Sequence, residues 1–121
     1  MAITLNHTIV PARDKVGSAQ FFARIMGLEY SGLHYHFAPV RVNDTLTLDF
    51  DDADQFEPHH YAFLVSDEEF DGILARVQAE GVPIGSGPDR GWDGQLNHRL
   101  GGRGFYFPDP NGHMMEVMTR A

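Results

Sequence analysis

The chain repeats itself. His7, Asp14, Ala23-Arg24 and Gly27 return in the same order, at a nearly constant offset, as His60, Asp67, Ala75-Arg76 and Gly81. Each time, a short alternating apolar run passes a helix-capping residue, enters a helical apolar spacing and stops at glycine. Such self-similarity predicts two copies of one supersecondary unit. The expected order in each half is strand, helix and three strands, an α+β fold of two βαβββ modules. Module one spans about 1–52 and module two about 58–121, within a single domain of 121 residues. The acidic, turn-rich stretch 51–58 links them. In the first half the expected strands are 3–10, ended by Pro11, then 28–33, 34–42 and 45–51, with a helix over 16–26 capped by Asp14. In the second half a strand over 60–65 precedes a helix over about 68–80, capped by Ser66 or Asp67, and a strand over 82–84.

The second half closes with residues 104–118, which read as a hairpin. Pro110 has a fixed φ, and Asn111-Gly112 tolerate the positive φ of tight turns. In the arm after the turn, Met114, Glu116 and Met118 share one face, and Met115 and Val117 the other. A lone carboxylate on such an apolar face is costly unless a cation or donor pairs with it. The repeat supplies candidates. His7 lies between Leu5 and Ile9 on the face of its strand, and His60 lies with Ala62 and Leu64. Two imidazoles and a carboxylate form a usual ligand set for Fe2+, Mn2+, Ni2+ or Zn2+, with positions left for water or substrate. His59 competes with His60 for the middle place. The repeat aligns His60 with His7, and a slip of one residue would turn it to the other face.

Composition narrows the function classes. The net charge of -8 argues against nucleic acid or an anionic membrane surface as partner. With no Cys, neither a disulfide framework nor a thiolate metal site can form. No apolar run approaches a membrane span and no signal-peptide pattern precedes the first strand, so a cytoplasmic location is the expectation.

Taken together, these motifs resemble the vicinal oxygen chelate superfamily, which includes glyoxalase I, fosfomycin resistance proteins, bleomycin resistance proteins and extradiol dioxygenases. Leu5-Asn6-His7 with Phe21-Phe22 and Gly27-Leu28 is similar to the family's opening. His60-Tyr61-Ala62-Phe63 is similar to its second metal strand. Phe105 to His113 with Glu116 is similar to its closing hairpin. The resemblance implies mixed sheets curled around a metal cleft, commonly in a homodimer. It assigns divalent-metal ligation to His7, His60 and Glu116. Glyoxalase-like members add an acidic ligand and base from the first half, for which Asp49 is the candidate, though it is shorter than the usual Glu. Fosfomycin-resistance-like members share the aromatic Tyr106, but Ile9 stands where they place a hydroxyl.

The loop 85–104 holds seven of the thirteen glycines. His98, Arg99 and Arg103 could bind a carboxylate, phosphate or enolate there, and Trp92 with Tyr106 could contact substrate. His113 is read as part of the turn. The expected function is a metal-dependent isomerase, lyase or small dioxygenase acting on a small organic substrate. The rivals are a thiol transferase like the fosfomycin resistance proteins and a non-catalytic binder like the bleomycin resistance proteins.

Overall fold

The computed structural model describes residues 2–121. The chain divides into two compact units, the first ending at Glu57 and the second Pro58–Ala121. The first unit contains β1 (His7–Ala12), α1 (Lys15–Met26), β2 (Ala38–Arg41) and β3 (Thr47–Asp52). The second contains β4 (His60–Leu64), α2 (Asp67–Ala79), β5 (Gly104–Pro108) and β6 (Met114–Met118). The sheets have matching topology, β1-β3-β2 and β4-β6-β5. In each, the first strand runs parallel to the central one and the other outer strand antiparallel to it. The fold is thus α+β with two modules, each built on a mixed sheet, as the repeat implies.

The helix ends explain themselves. The Asp14 carboxylate accepts the N–H of Gly17, and Gly27 closes α1 in the left-handed conformation at φ 72°. α2 begins with a reciprocal capping box. Ser66 Oγ accepts from the Glu69 N–H, and Glu69 Oε1 accepts from the Ser66 N–H. Ser66, rather than Asp67, is therefore the cap. Asp67, Glu68 and Glu69 place negative charge at the positive end of the helix dipole.

Alternation decides which face is core. Val10 and Ala12 of β1, Val40 of β2, and Leu48 and Phe50 of β3 are buried with Phe22 of α1, and the Phe22 and Phe50 rings lie 5.8 Å apart. In the second unit Phe105, Phe107, Met115 and Val117 are buried, and Phe70 of α2 meets Phe105 edge-on at 5.3 Å. Each such ring contributes about 1.5–3 kcal/mol through burial. The opposite faces carry the histidines. His7 and His60 are exposed, as are Leu5, Ile9 and Leu64 beside them.

Several expected strands are shorter or absent. β1 begins at His7 rather than residue 3 and continues through Pro11 to Ala12. Proline is tolerated there because β1 lies at the outside of its three-stranded sheet. Residues 28–33 form no strand; Gly32, at φ 102°, turns the chain instead. Residues 34–37 form a tight bridged turn with Tyr35 at φ 53°, so the strand expected from residue 34 begins only at Ala38. The strand expected at 82–84 is replaced by a single bridge between Gly85 and Tyr106. No helix among the described residues is long and apolar enough to cross a membrane.

Candidate functional site

β6 is the centre strand of its sheet, so Glu116 has neighbours on both sides. Ala62 of β4 pairs with it in register, and Tyr106 of β5 pairs with it from the other side. His60, Tyr106 and Glu116 consequently share one face. The His60 Nε2 lies 2.9 Å from Glu116 Oε1, and the His60 ring centroid is 5.6 Å from that of Tyr106. Glu116 is nearly buried at 7% exposure, between Met114 and Met118 on its own strand, so its charge has to be matched locally.

Arg99 completes the match. Its Nη1 donates to the Tyr106 hydroxyl at 2.7 Å and lies 3.5 Å from Glu116 Oε2. The guanidinium carbon sits 5.4 Å from the Tyr106 ring centroid. The hydrogen bond to Tyr106, and behind it the negative charge of Glu116, hold the Arg99 pKa above its ordinary value. Arg99 opens a 3-10 turn, Arg99–Gly101, in which Leu100 takes a left-handed conformation at φ 56°. For a leucine this is strained backbone, of the kind found where surrounding structure enforces a position. Asn97 helps enforce it. Its amide donates to the Ser86 carbonyl, and its Oδ1 accepts from the Arg99 N–H.

A cavity of about 450 Å³ opens beside Glu116, lined by Arg99, Leu100, Arg103 and Arg120 among others. Arg103 is already engaged. It binds Asp71 at 2.8 Å and Asp67 at 3.0 Å, and its guanidinium lies 4.4 Å from the Phe70 ring centroid. Those two carboxylates hold its pKa up. His98 and Trp92 do not line this cavity. His98 bonds the Gly102 carbonyl through Nδ1, and Trp92 lies against Gly85.

His59 and His60 point to opposite faces. His59 Nδ1 lies 3.1 Å from the Tyr61 hydroxyl, and the His59 ring is near that of His113, while His60 faces Glu116. His113 is fully buried and its Nδ1 accepts the His59 N–H, a role for which its place in the turn gives no sequence signal. Asp109 organises that turn. Its Oδ1 accepts the N–H groups of Asn111 and His113, and its Oδ2 the Asn111 side-chain amide.

The first unit offers the corresponding positions. On β1 and β3, His7 pairs with Thr47 and Ile9 with Asp49, just as His60 pairs with Met114 and Ala62 with Glu116. Asp49 therefore holds the register place of Glu116, on the same face as His7. Among the described residues, no group of three or more His, Asp or Glu side chains is assembled to hold an ion. The pair His60 and Glu116 nonetheless fits one end of such a site: a nitrogen and an oxygen donor are adjacent, and the carboxylate is otherwise buried among apolar neighbours.

Comparison with known proteins agrees with this layout. A solved structure, oxidase ChaP-H2, is 46% identical and superimposes with a TM-score of 0.95, covering 100% of this chain and 96% of that one. Oxidase ChaP-H1 is 42% identical with a TM-score of 0.92, covering 99% and 98%. Glutathione transferase FosA of Serratia marcescens is 30% identical over 97% of this chain and 81% of its own length. Residues 4–117 match the Glyoxalase/Bleomycin resistance protein/Dioxygenase superfamily, and the chain belongs to that family, the vicinal oxygen chelate proteins.

Proposed function

We propose that this protein is a divalent-metal-dependent oxidoreductase acting on a small organic substrate with two neighbouring oxygens. His60, Glu116 and His7 are its metal ligands, and Asp49 is a further carboxylate for ligation or proton transfer. The observation that carries the metal reading is the nearly buried Glu116 carboxylate with the His60 imidazole nitrogen 2.9 Å away, an oxygen and a nitrogen donor side by side on one sheet face. The extensive identity with two oxidases supports the oxidative class. Bound there, Fe2+, Mn2+, Ni2+ or Zn2+ supplies Lewis acidity to the substrate oxygens. The chain's own groups orient the substrate. Tyr106 receives a hydrogen bond from Arg99, which leaves its own O–H free to donate to a substrate oxygen. Arg99, Arg103 and Arg120 make the cavity suited to anionic groups. The exposed Leu5, Ile9 and Leu64 support a homodimer as the working form.

The test has two stages. Calorimetric titration of chelator-stripped protein should show divalent-ion binding that Glu116→Gln and His60→Ala abolish. Unchanged binding in both variants would overturn the metal reading. Fe2+-loaded protein should then consume O2 with catechols or hydroxyquinones. A second reading, a thiol transferase, is favoured by the likeness to FosA. A glutathione adduct of fosfomycin formed without O2 uptake would establish it in place of the first. Sedimentation at micromolar concentration should give a dimer mass; a monomer there would overturn the assembly.

A further inference from the structure

Both oxygens of Glu116 are already engaged, Oε1 by His60 and Oε2 by Arg99. An arginine carries its charge at every accessible pH, so a fixed positive charge lies against the same carboxylate that a metal would use. Arg99 is not there by loose chance. The 2.7 Å bond to Tyr106, the Asn97 contact to its backbone and the left-handed Leu100 beside it hold the guanidinium over this face. Its contact with Glu116, at 3.5 Å, is the looser of the two.

Resting on the metal assignment above, we propose that Arg99 is the resident counter-cation of Glu116 in the metal-free protein and exchanges with the incoming ion. As long as no ion is bound, Arg99 and His60 make the burial of Glu116 tolerable. When an ion takes Glu116, a like charge stands a few ångströms away. Arg99 then keeps its bond to Tyr106 and turns its charge toward the cavity it lines with Arg103 and Arg120. Arg99 thereby weakens metal binding while keeping the metal-free form folded, and leaves an anion receptor at the cavity once the ion is in place.

The exchange is read by calorimetry with Mn2+ alone, on chelator-stripped protein. Arg99→Met should bind Mn2+ about tenfold more tightly than the parent, the Coulomb effect being reduced by solvent around the half-exposed guanidinium. Arg99→Lys, which retains the charge, should bind as the parent does. Metal-free Arg99→Met should melt lower than the parent, and saturating Mn2+ should close the gap. Equal or weaker Mn2+ binding by Arg99→Met, with binding still abolished by Glu116→Gln, overturns the exchange and leaves the metal site standing. Binding that survives Glu116→Gln overturns the metal site and the exchange with it. Tyr106→Phe removes the tighter Arg99 anchor without touching either charge. Its Mn2+ affinity should lie between those of the parent and Arg99→Met.

Discussion

The imidazole of His113 accepts the backbone N–H of His59 at 2.8 Å, joining the turn before β6 to the residue that precedes β4. The next residue, His60, is thereby placed at the start of β4 in register with Met114. His113→Ala would leave that N–H without its acceptor and create a cavity where a fully buried ring stood. The expected loss is about 2–4 kcal/mol, seen as a lower urea midpoint. A midpoint unchanged within error would refute this role.

Gly85 tolerates no side chain. A Cβ there would lie 2.3 Å from the Gly91 carbonyl oxygen, which is backbone and cannot rotate away. The Gly85 N–H and C=O also exchange hydrogen bonds with Tyr106. Gly85→Ala should cost about 1–3 kcal/mol by overpacking. By releasing Tyr106 it should also weaken binding at the candidate site. Gly91→Ala is strained for a different reason, its positive φ of 61°, with open space around it. Thermal melts of the two variants, with ligand binding measured alongside, separate the effects.

Alkaline pH should destabilise the fold through Tyr61. Burial first, and the nearby Asp109 charge second, push its pKa above the ordinary 10.0. The unfolded chain therefore loses the phenolic proton at lower pH than the folded one. Tyr61's contribution is intact below about pH 10 and is lost as pH rises through the folded pKa. Tyr61→Phe has nothing to ionise, so urea midpoints measured from neutral to strongly alkaline pH should fall less steeply than in the parent. Parallel curves would rule Tyr61 out as the cause.

Arg103 and Arg99 should behave oppositely. Arg103 sits between Asp67 and Asp71 and over the Phe70 ring, so Arg103→Met should lower the melting temperature slightly, and less so in high salt. Mn2+ affinity should stay close to the parent's. A large change in metal affinity from Arg103→Met would show that its charge acts at Glu116 as well.

Much of this architecture was legible in the sequence because it rests on local signals. Asp14 and Gly27 mark the first helix, Ser66 or Asp67 the start of the second and Gly81 its end, and Pro110-Asn111-Gly112 marks the hairpin. Alternation along β6 put Glu116 on the face opposite Met115 and Val117. What the sequence concealed depends on non-local contacts. Pro11 reads as a terminator, yet it sits within the outer strand of its three-stranded sheet. Residues 28–33 have apolar content but no partner strand among the described residues, so no ladder forms there. Arg99 and Glu116 are seventeen positions apart, and the turn with left-handed Leu100, the Asn97 contact and the bond to Tyr106 together hold Arg99 at Glu116. No periodicity reports such a turn in advance.

The Asp109 clamp has a consequence for how this chain can be altered. One carboxylate fixes the length of the turn by gripping Asn111 and His113 at once. Adding or removing a single residue there would invert β6, sending Met115 and Val117 outward and Glu116 into the core. The hairpin is therefore a fixed frame that admits no change of length. The loop from Gly85 to Arg103 meets that frame through bridges at Gly85–Tyr106 and Asn97–Gly104. New recognition can be written into the stretches between those bridges, whose lengths are free to vary while the carboxylate stays where it is.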